Sequence, residues 1–209
     1  MPLAADQLPG CRISDRIFSR QARRAAKRDF VFKILPRHGA VIEVGVFGGD
    51  FSARILAFNT PTTLHLVDPW FTKPDGTLYD GPAQDFASST QASAALEDQY
   101  QQVRKRFDAE LSAGRVVLHR QLSYDAAPQF EDGAFDWVYL DASHYYDDVK
   151  RDIECYFPKL TRGGYLTGDD YGRRSFWDHG VTRAVDEFVL TGGVDVIRLH
   201  NHQFIVRKR

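Results

Sequence analysis

The chain has 209 residues, of which 43% are hydrophobic, so it is large enough for one domain with a substantial core. Its formal net charge of −1 at pH 7 gives no reason to expect binding to nucleic acid or to a membrane surface. No apolar stretch approaches the roughly 20 residues of a membrane-spanning helix, and the first residues lack the basic start and apolar run of a secretory signal. The two cysteines, Cys11 and Cys155, form neither a disulfide framework nor a CxxC pair, and we expect a cytoplasmic protein.

Residues 12–35 are predicted to form a basic helix ahead of the main domain. Apolar residues recur there at helical spacing, among them Ile13, Ile17 and Phe30. The arginines of this segment suit an anionic partner, but a solvated face of a helix that packs on the main domain is the favoured interpretation. We therefore treat residues 1–37 as an N-terminal helical extension, which is also a candidate element for pairing two copies of the chain.

From residue 40 onward, short apolar runs alternate with helical patterns. The predicted strands cover 40–44, 63–67, 115–119, 135–140 and 164–167, and the predicted helices cover 51–58, 92–111, 147–160 and 182–190. Residues 194–199 and 203–207 are predicted to form a terminal hairpin. This alternation favours an α/β fold with a mostly parallel sheet, helices on both faces and one antiparallel hairpin.

The polar stretch 71–89 is long for a connection without secondary structure. Such connections are typical of lids and substrate-contacting loops, so we expect a lid or insert within residues 71–100. The chain shows no internal repeat and no boundary of a second domain. Residues 1–209 are therefore predicted to form a single domain.

A glycine-rich turn follows the first predicted strand, in the sequence VIEVGVFGG over residues 41–49. Gly45 and Gly49 let the backbone approach a ligand without a Cβ in the way. The spacing is not the GxGxxG of a dinucleotide site, and the bulky Phe47 argues further against a pyrophosphate. Glu43 lies inside the apolar strand and needs a partner, either a cationic ligand or neighbouring backbone N–H groups.

Other polar or aromatic residues come directly after strands. Asp68 ends the second strand, where a carboxylate can accept both hydroxyls of a ribose, although an aspartate that caps a turn is the alternative. Trp70 is a candidate to cover an adenine face or to pack in the core. Ser123, after the third strand, is a further candidate to contact the base.

Three carboxylates follow two strands that would be neighbours in this topology: Asp141, Asp169 and Asp170. Carboxylates that converge repel one another unless a positive charge neutralises them, and Mg²⁺, Ca²⁺ or Mn²⁺ prefers such oxygen ligands. The alternative is that Asp169 and Asp170 cap a turn away from Asp141. His144 is placed to act as a base, since imidazole titrates near neutrality, or as a structural residue. Ser143 is predicted to cap the helix that begins near residue 147.

At these residues the chain resembles the class I S-adenosylmethionine-dependent methyltransferases, over residues 38–209 with 71–100 outside the likeness. EVGVFGGDFS (43–52) is similar to the first motif of that family, and VDPW (67–70) to its ribose-binding strand end. LDASHYY, GDDY and GVTRAVDEF are similar to segments of metal-dependent O-methyltransferases that modify macrolide sugars and antibiotics. The resemblance implies a Rossmann-like, seven-stranded sheet closed by a C-terminal hairpin.

The resemblance also implies roles for these residues. It implies that Asp141, Asp169 and Asp170 bind Mg²⁺ or another divalent cation, and that His144 takes the proton from the acceptor hydroxyl. The residues expected around S-adenosylmethionine are Glu43, Gly45, Phe47, Gly49, Asp68, Trp70, Ser123 and Asp141.

The predicted function is therefore methyl transfer from S-adenosylmethionine to a hydroxyl of a small molecule, of sugar or natural-product type. A catechol-type acceptor and transfer without a metal stay open within this class. A nicotinamide-dependent oxidoreductase is disfavoured by the missing GxGxxG. A non-catalytic scaffold is disfavoured because it has no need of a charged crevice.

Overall fold

The computed structural model describes residues 27–73, 89–175 and 177–209. Within these residues, seven strands form one sheet in the order β3-β2-β1-β4-β5-β7-β6. The strands are β1 (Ala40–Val44), β2 (Thr63–Val67), β3 (Val116–His119), β4 (Phe135–Leu140), β5 (Leu160–Gly168), β6 (Val194–His200) and β7 (Gln203–Lys208). Strands β1 to β5 pair in parallel, and β7 pairs antiparallel with both β5 and β6. The predicted fold class is confirmed.

Helices cover the sheet: α1 (Asp50–Asn59), α2 (Ser89–Arg106), α3 (Asp108–Ser112), α4 (Ser123–Ala126), α5 (Tyr146–Tyr156) and α6 (Gly180–Leu190), with 3₁₀ turns at Asp29–Lys33 and Ala127–Gln129. Alternate residues of β1 enter two separate cores. Ile42 and Val44 pack with α5 and α6 on one face, and Val41 packs with α1 and α2 on the other. This burial on both faces explains the nearly continuous apolar runs of the central strands.

The strand order reverses at β1, which lies between β2 and β4. In open α/β sheets, ligands bind in the crevice at the carboxyl ends of the strands beside such a reversal. The glycine turn follows β1, Asp68 follows β2, Asp141 follows β4 and Asp169 follows β5. The fold therefore brings the predicted site residues to one edge of the sheet.

The predicted bounds of β1, β2 and β4 are confirmed, whereas two predicted helices were wrong in extent. The helix expected over 147–160 is α5, which ends at Tyr156. Pro158 explains the end, because it has no backbone N–H to donate to the Glu154 carbonyl and so cannot continue the helix. The helix expected over 92–111 is two helices, α2 and α3, separated by Phe107. Helix α4, which begins at Ser123, was not predicted.

The predicted N-terminal helix is described only from residue 27 onward, and residues 12–26 lie outside the described residues. Its described part is short, with residues 27–28 helical and a 3₁₀ turn over Asp29–Lys33. Aromatic and β-branched residues in this turn are poor helix formers, and Pro36 follows. Val31 and Leu35 are buried in the core, so the segment is attached to the domain.

The terminal hairpin is confirmed, with Asn201 and His202 both at positive φ in its turn. The predicted lid falls mainly on residues 74–88, which lie outside the described residues. Among the helices of the described ranges, none has the length and apolar character needed to cross a membrane.

Candidate active site

Gly45 joins the ends of strands β1 and β4. Its φ is 90°, and its backbone N–H donates to the Val67 carbonyl at 2.8 Å. A Cβ built on Gly45 would lie 2.2 Å from the carbonyl oxygen of Asp141 and 2.5 Å from the nitrogen of Ala142. Only glycine fits here, because both the positive φ and the close backbone exclude a side chain.

Asp68 holds the glycine turn in place. Its Oδ2 accepts the backbone N–H groups of Val46 and Phe47, both at 2.9 Å, and its Oδ1 accepts the N–H of Trp70 at 3.0 Å. Burial raises the pKa of Asp68, although these hydrogen bonds oppose the shift. These contacts match the turn-capping alternative. Oδ1 has a second lone pair and the side chain is partly accessible, so a ribose contact stays a prediction.

The outer side of the turn is open. Phe47 has a φ of 52°, and its side chain is 65% exposed. A Cβ on Gly48 would meet nothing within 4 Å. Gly49, at φ 74°, precedes helix α1, and a Cβ there would lie 2.7 Å from the Phe107 ring. The turn therefore offers free space on one side and packs against a helix on the other.

Trp70 lies in the core. The residue is fully buried, its Nε1–H donates to the Phe47 carbonyl at 2.9 Å, and its ring contacts the Tyr100 ring at 5.2 Å. These contacts match the core alternative and brace the glycine turn. Contact between Trp70 and an adenine ring stays a prediction.

Ser123 is the first residue of helix α4. Its carbonyl accepts the Tyr156 hydroxyl at 2.7 Å, and its side chain hydrogen-bonds to Asp152. Burial raises the pKa of Asp152 to about 7, and this hydrogen bond opposes the shift. The two partners fix the loop after β3, where contact with a base was predicted. Sequence reasoning missed Asp152, because an aspartate within a helix has no distinctive pattern.

Glu43 is buried, as its position within an apolar strand predicts. Its Oε2 accepts the Ser52 hydroxyl at 2.5 Å. The partner is therefore a side chain of helix α1 rather than a backbone N–H. Burial raises the pKa of Glu43 to about 8, against the effect of this hydrogen bond. A cationic ligand beside this carboxyl group would favour its ionised form and so lower its pKa.

The predicted acidic cluster forms at the ends of β4 and β5. These strands pair with Leu140 opposite Gly168, so Asp141 and Asp169 come side by side. An arginine from the N-terminal segment bridges them: Arg28 Nη1 lies 2.8 Å from Asp141 Oδ2, and Nη2 contacts Asp169 Oδ2. The alternative in which Asp169 never meets Asp141 was therefore wrong.

The charges in this cluster interact strongly. Burial raises the pKa of Asp141 to about 7, with Asp169 adding to the effect and Arg28 opposing it. Burial also raises the pKa of Asp169. Burial alone would lower the pKa of Arg28, but the neighbouring carboxylates outweigh it and hold that pKa above its usual value. Such perturbed groups in a crevice are typical of functional sites.

His144 pairs with the third aspartate. Its Nε2 lies 2.5 Å from Asp170 Oδ2 and 4.0 Å from Asp141 Oδ1, and its ring stacks on Trp177 with the centroids 4.5 Å apart. Burial would raise the pKa of Asp170, but hydrogen bonds from His144 and Arg173 outweigh it and lower the pKa to about 2. Asp170 is therefore a stable anion beside the imidazole.

The donor atoms that converge best differ from the predicted set. Among the described residues, one group could hold a metal ion: Asp141, His144 and Asp170 offer atoms within 4.8 Å of one another. Asp169 points elsewhere, since its Oδ1 accepts the Asp170 N–H at 2.8 Å and the Gln203 side-chain amide. Carboxylate oxygens beside an imidazole nitrogen form a donor set that suits a divalent cation. Binding by the three aspartates stays a prediction.

Ser143 does not cap helix α5, as was predicted. The N-cap residue is Tyr145, which makes no capping hydrogen bond through its side chain. The Ser143 hydroxyl donates instead to Asp148 Oδ2 at 2.7 Å. The helix begins at Tyr146, so Ser143 lies two residues before the N-cap and outside the capping position.

Sequence reasoning missed Arg28, Arg173, Gln203 and Trp177. Arg28 is separated from Asp141 by 113 residues, and no local spacing connects them. Gln203 lies in β7, where its amide reaches Asp169 and its Oε1 accepts the Tyr139 hydroxyl at 2.7 Å. A buried glutamine in an apolar strand is a signal that could have been used, because it needs a partner.

The sequence profile of a family described as "Methyltransferase domain" matches residues 42–171. This match covers more than half of the chain and includes the glycine turn, Asp68, Asp141, His144 and both aspartates after β5. No curated protein sequence matches the chain significantly.

Several solved structures share the fold. A Corynebacterium glutamicum protein is 19% identical with a TM-score of 0.58 and covers 94% of this chain and 91% of its own. An O-methyltransferase from Bacillus cereus, in complex with SAH, is 13% identical with a TM-score of 0.58 and covers 90% and 81%. The O-methyltransferase NovP is 20% identical with a TM-score of 0.54 and covers 90% and 79%. At these identities the matches establish a common fold.

Proposed function

The chain belongs to the methyltransferase-domain family, and we propose that this S-adenosylmethionine-dependent enzyme methylates a hydroxyl group of a small molecule, of sugar or natural-product type, with the help of a divalent cation. The observation that carries this proposal is the convergence of Asp141, His144 and Asp170. Asp141 connects them to the glycine turn, because its backbone carbonyl lies directly behind Gly45. The cofactor side and the reacting side are thus adjacent.

The cofactor side consists of the glycine turn and the carboxylates beside it. The open space at Gly48 and the exposed ring of Phe47 leave room for a nucleoside. Asp68 follows β2, where a carboxylate can accept ribose hydroxyls. Glu43 lies beneath the turn and would be ionised by a positive charge. These residues would hold S-adenosylmethionine, which supplies an electrophilic methyl group when it is bound.

His144 is the residue in position to take the acceptor's proton. A carboxylate can only accept hydrogen bonds, so Nε2 donates in its contact with Asp170, and Nδ1 is the ring nitrogen that would take the acceptor's proton. This contact stabilises the charged imidazole that results when the base has accepted a proton. Trp177 limits rotation of the ring by stacking on it. A positioned general base contributes about 10²- to 10⁴-fold to rate.

Asp141 and Asp170, with Asp169, are the residues that would hold the cation. A bound divalent cation would supply positive charge that lowers the pKa of a hydroxyl near it. The raised pKa of Asp141 and the repulsion between the aspartates favour such a positive partner.

A cavity beside the cluster is the proposed site of the acceptor. Polar side chains of Asp141, Ser143 and His144 line it together with Asp152 and Asp169, and the remaining lining is apolar. Ligand sites commonly combine such an apolar wall with a few convergent polar groups. As it stands the cavity has room for about one water molecule, so a single hydroxyl group of the acceptor, rather than the whole molecule, fits among these polar groups. A catechol is the main alternative to a sugar, because its two adjacent oxygens could both bind the cation.

The test is a transfer assay that measures S-adenosylhomocysteine formation. The purified protein is incubated with S-adenosylmethionine and a panel of sugars, glycosides and catechols, with Mg²⁺ or with EDTA. We expect turnover with one acceptor class, a large loss in EDTA, and loss of turnover in Asp141→Asn. His144→Ala should keep calorimetric binding of S-adenosylhomocysteine and lose about 100-fold or more in rate.

His200→Ala is the matched control, because His200 is an exposed histidine of strand β6. It should keep the rate of the wild type. Undiminished turnover in both Asp141→Asn and His144→Ala would remove the proposed mechanism. Equal turnover in Mg²⁺ and in EDTA would contradict the proposed role of the cation but not the assignment as a methyltransferase.

A further inference from the structure

Arg28 lies between Asp141 and Asp169, two of the three aspartates that would hold the cation in the proposed function. We propose that the Arg28 guanidinium is an internal competitor of the divalent cation, which occupies the space between Asp141 and Asp169 and so sets the cation affinity of the site. This inference rests on the proposed function, because it concerns the same carboxylates. It adds a residue outside the matched region 42–171 to the determinants of that site.

The geometry of the bridge supports this competition. Arg28 donates from Nη1 to Asp141 Oδ2 at 2.8 Å, and its Nη2 contacts Asp169 Oδ2. One planar group therefore holds one oxygen from each of two predicted metal ligands. Its side chain is 20% exposed, and those of Asp141 and Asp169 are 18% and 8% exposed. The pair is poorly screened by solvent, so its charges interact strongly.

A guanidinium and a divalent cation cannot share these oxygens. Both are positive, and a cation bound by the two aspartates needs the lone pairs that Arg28 uses. Binding through Asp141 and Asp169 therefore requires the Arg28 side chain to withdraw. Two states result, one closed by Arg28 and one open to the cation, and each excludes the other.

The N-terminal segment can open without leaving the domain. Val31 and Leu35 anchor it in the core, and Asp29 pairs with Arg54. On the other side of Arg28, the Lys27 carbonyl accepts a long hydrogen bond from the Asn201 amide, at 3.5 Å. The Arg28 side chain can therefore withdraw while Val31 and Leu35 stay buried.

The experiment measures Mn²⁺ affinity by electron paramagnetic resonance and Mg²⁺ affinity by calorimetry, without cofactor or acceptor. Arg28→Gln is expected to bind Mn²⁺ at least about tenfold more tightly than the wild type, because a nearby positive charge is removed. Arg28→Lys should fall between them, since lysine keeps the charge but cannot bridge with a planar fork. Lys159→Gln is the matched control: Lys159 pairs with Asp132 at the opposite end of β5, and its loss should leave the affinity unchanged.

Trypsin digestion of the wild type gives a second measurement that does not depend on a variant. Cleavage after Arg28 requires that its side chain leave the aspartates, so Mg²⁺ should accelerate this cut, as detected by mass spectrometry. Equal affinities in wild type and Arg28→Gln, with no effect of Mg²⁺ on the cut, would overturn the competition and leave the proposed function intact. If neither protein binds Mn²⁺ or Mg²⁺, both the competition by Arg28 and the proposed role of a divalent cation are contradicted. The transfer assay then still decides whether the protein is an active methyltransferase.

Discussion

At the scale of single residues, backbone geometry and burial impose requirements on this site that side-chain chemistry alone does not. Gly45 must be a glycine because it touches the strand that carries Asp141. The Asp68 carboxylate accepts hydrogen bonds from three backbone N–H groups. Glu43 is buried and accepts a hydrogen bond from the Ser52 hydroxyl. Each residue therefore has a structural duty besides its proposed role toward a ligand.

Gly45→Ala should destabilise the fold by about 2 kcal/mol or more, because the new Cβ clashes with the Asp141 carbonyl and the positive φ becomes strained. Binding of S-adenosylhomocysteine should weaken at the same time. Urea unfolding and calorimetry measure the two effects. Gly48→Ala is the matched control, since its Cβ would enter open space. A Gly45→Ala variant as stable as Gly48→Ala would contradict the close approach of β1 and β4.

At the scale of secondary-structure elements, strands β2 and β3 contain a histidine pair that couples the sheet to pH. His65 Nδ1 and His119 Nε2 lie 2.9 Å apart, so one neutral ring donates to the other. Phe130 and Phe135 meet the His65 ring edge-on. Burial, with the nearby His119, lowers the pKa of His65 to about 4. The pair is stable while both rings are neutral.

His65→Gln should make the protein less sensitive to acid. In the wild type, the unfolded chain takes up a proton on His65 near pH 6.5 and the folded chain only near pH 4, so stability falls as the pH drops through that window. The partly exposed site reduces the effect to about 1 kcal/mol. Unfolding free energies at pH 7 and 4.5 test this, with exposed His200→Gln as control. An identical pH dependence in His65→Gln and wild type would contradict the assigned burial.

At the scale of the whole molecule, the crevice is assembled from segments that are far apart in the chain. Residues 27–35, the turn after β1, and the ends of β2, β4 and β5 meet at one edge of the sheet, and β7 adds Gln203. A ligand in this crevice contacts several segments and should stabilise the folded chain as a whole.

S-adenosylhomocysteine at about 100 times its Kd should stabilise the protein by about 2.7 kcal/mol, which is a rise of several degrees in Tm. Asp68→Asn should lower the Tm without ligand, because the glycine turn loses hydrogen bonds, and should reduce the rise on ligand addition. Differential scanning calorimetry measures both. Asp132→Asn, at a side chain that is 72% exposed, is the control. A full ligand-induced rise in Asp68→Asn would exclude a contact between Asp68 and the nucleoside.

The sequence by itself determined the α/β class, the bounds of β1, β2 and β4, the glycine turn and the strand-end positions of Asp141 and Asp169. These features follow from local patterns, because the spacing of apolar residues, a glycine-rich turn and a carboxylate after a strand can each be recognised within a few residues. Only the tertiary structure decided that Asp68 braces the turn, that Trp70 packs in the core, and that Asp169 turns toward Gln203 and Arg28. These contacts join separate elements of the fold, with 22 positions between Asp68 and Val46 and 34 between Asp169 and Gln203. No spacing in the chain records them, because the packing of the sheet sets their distances.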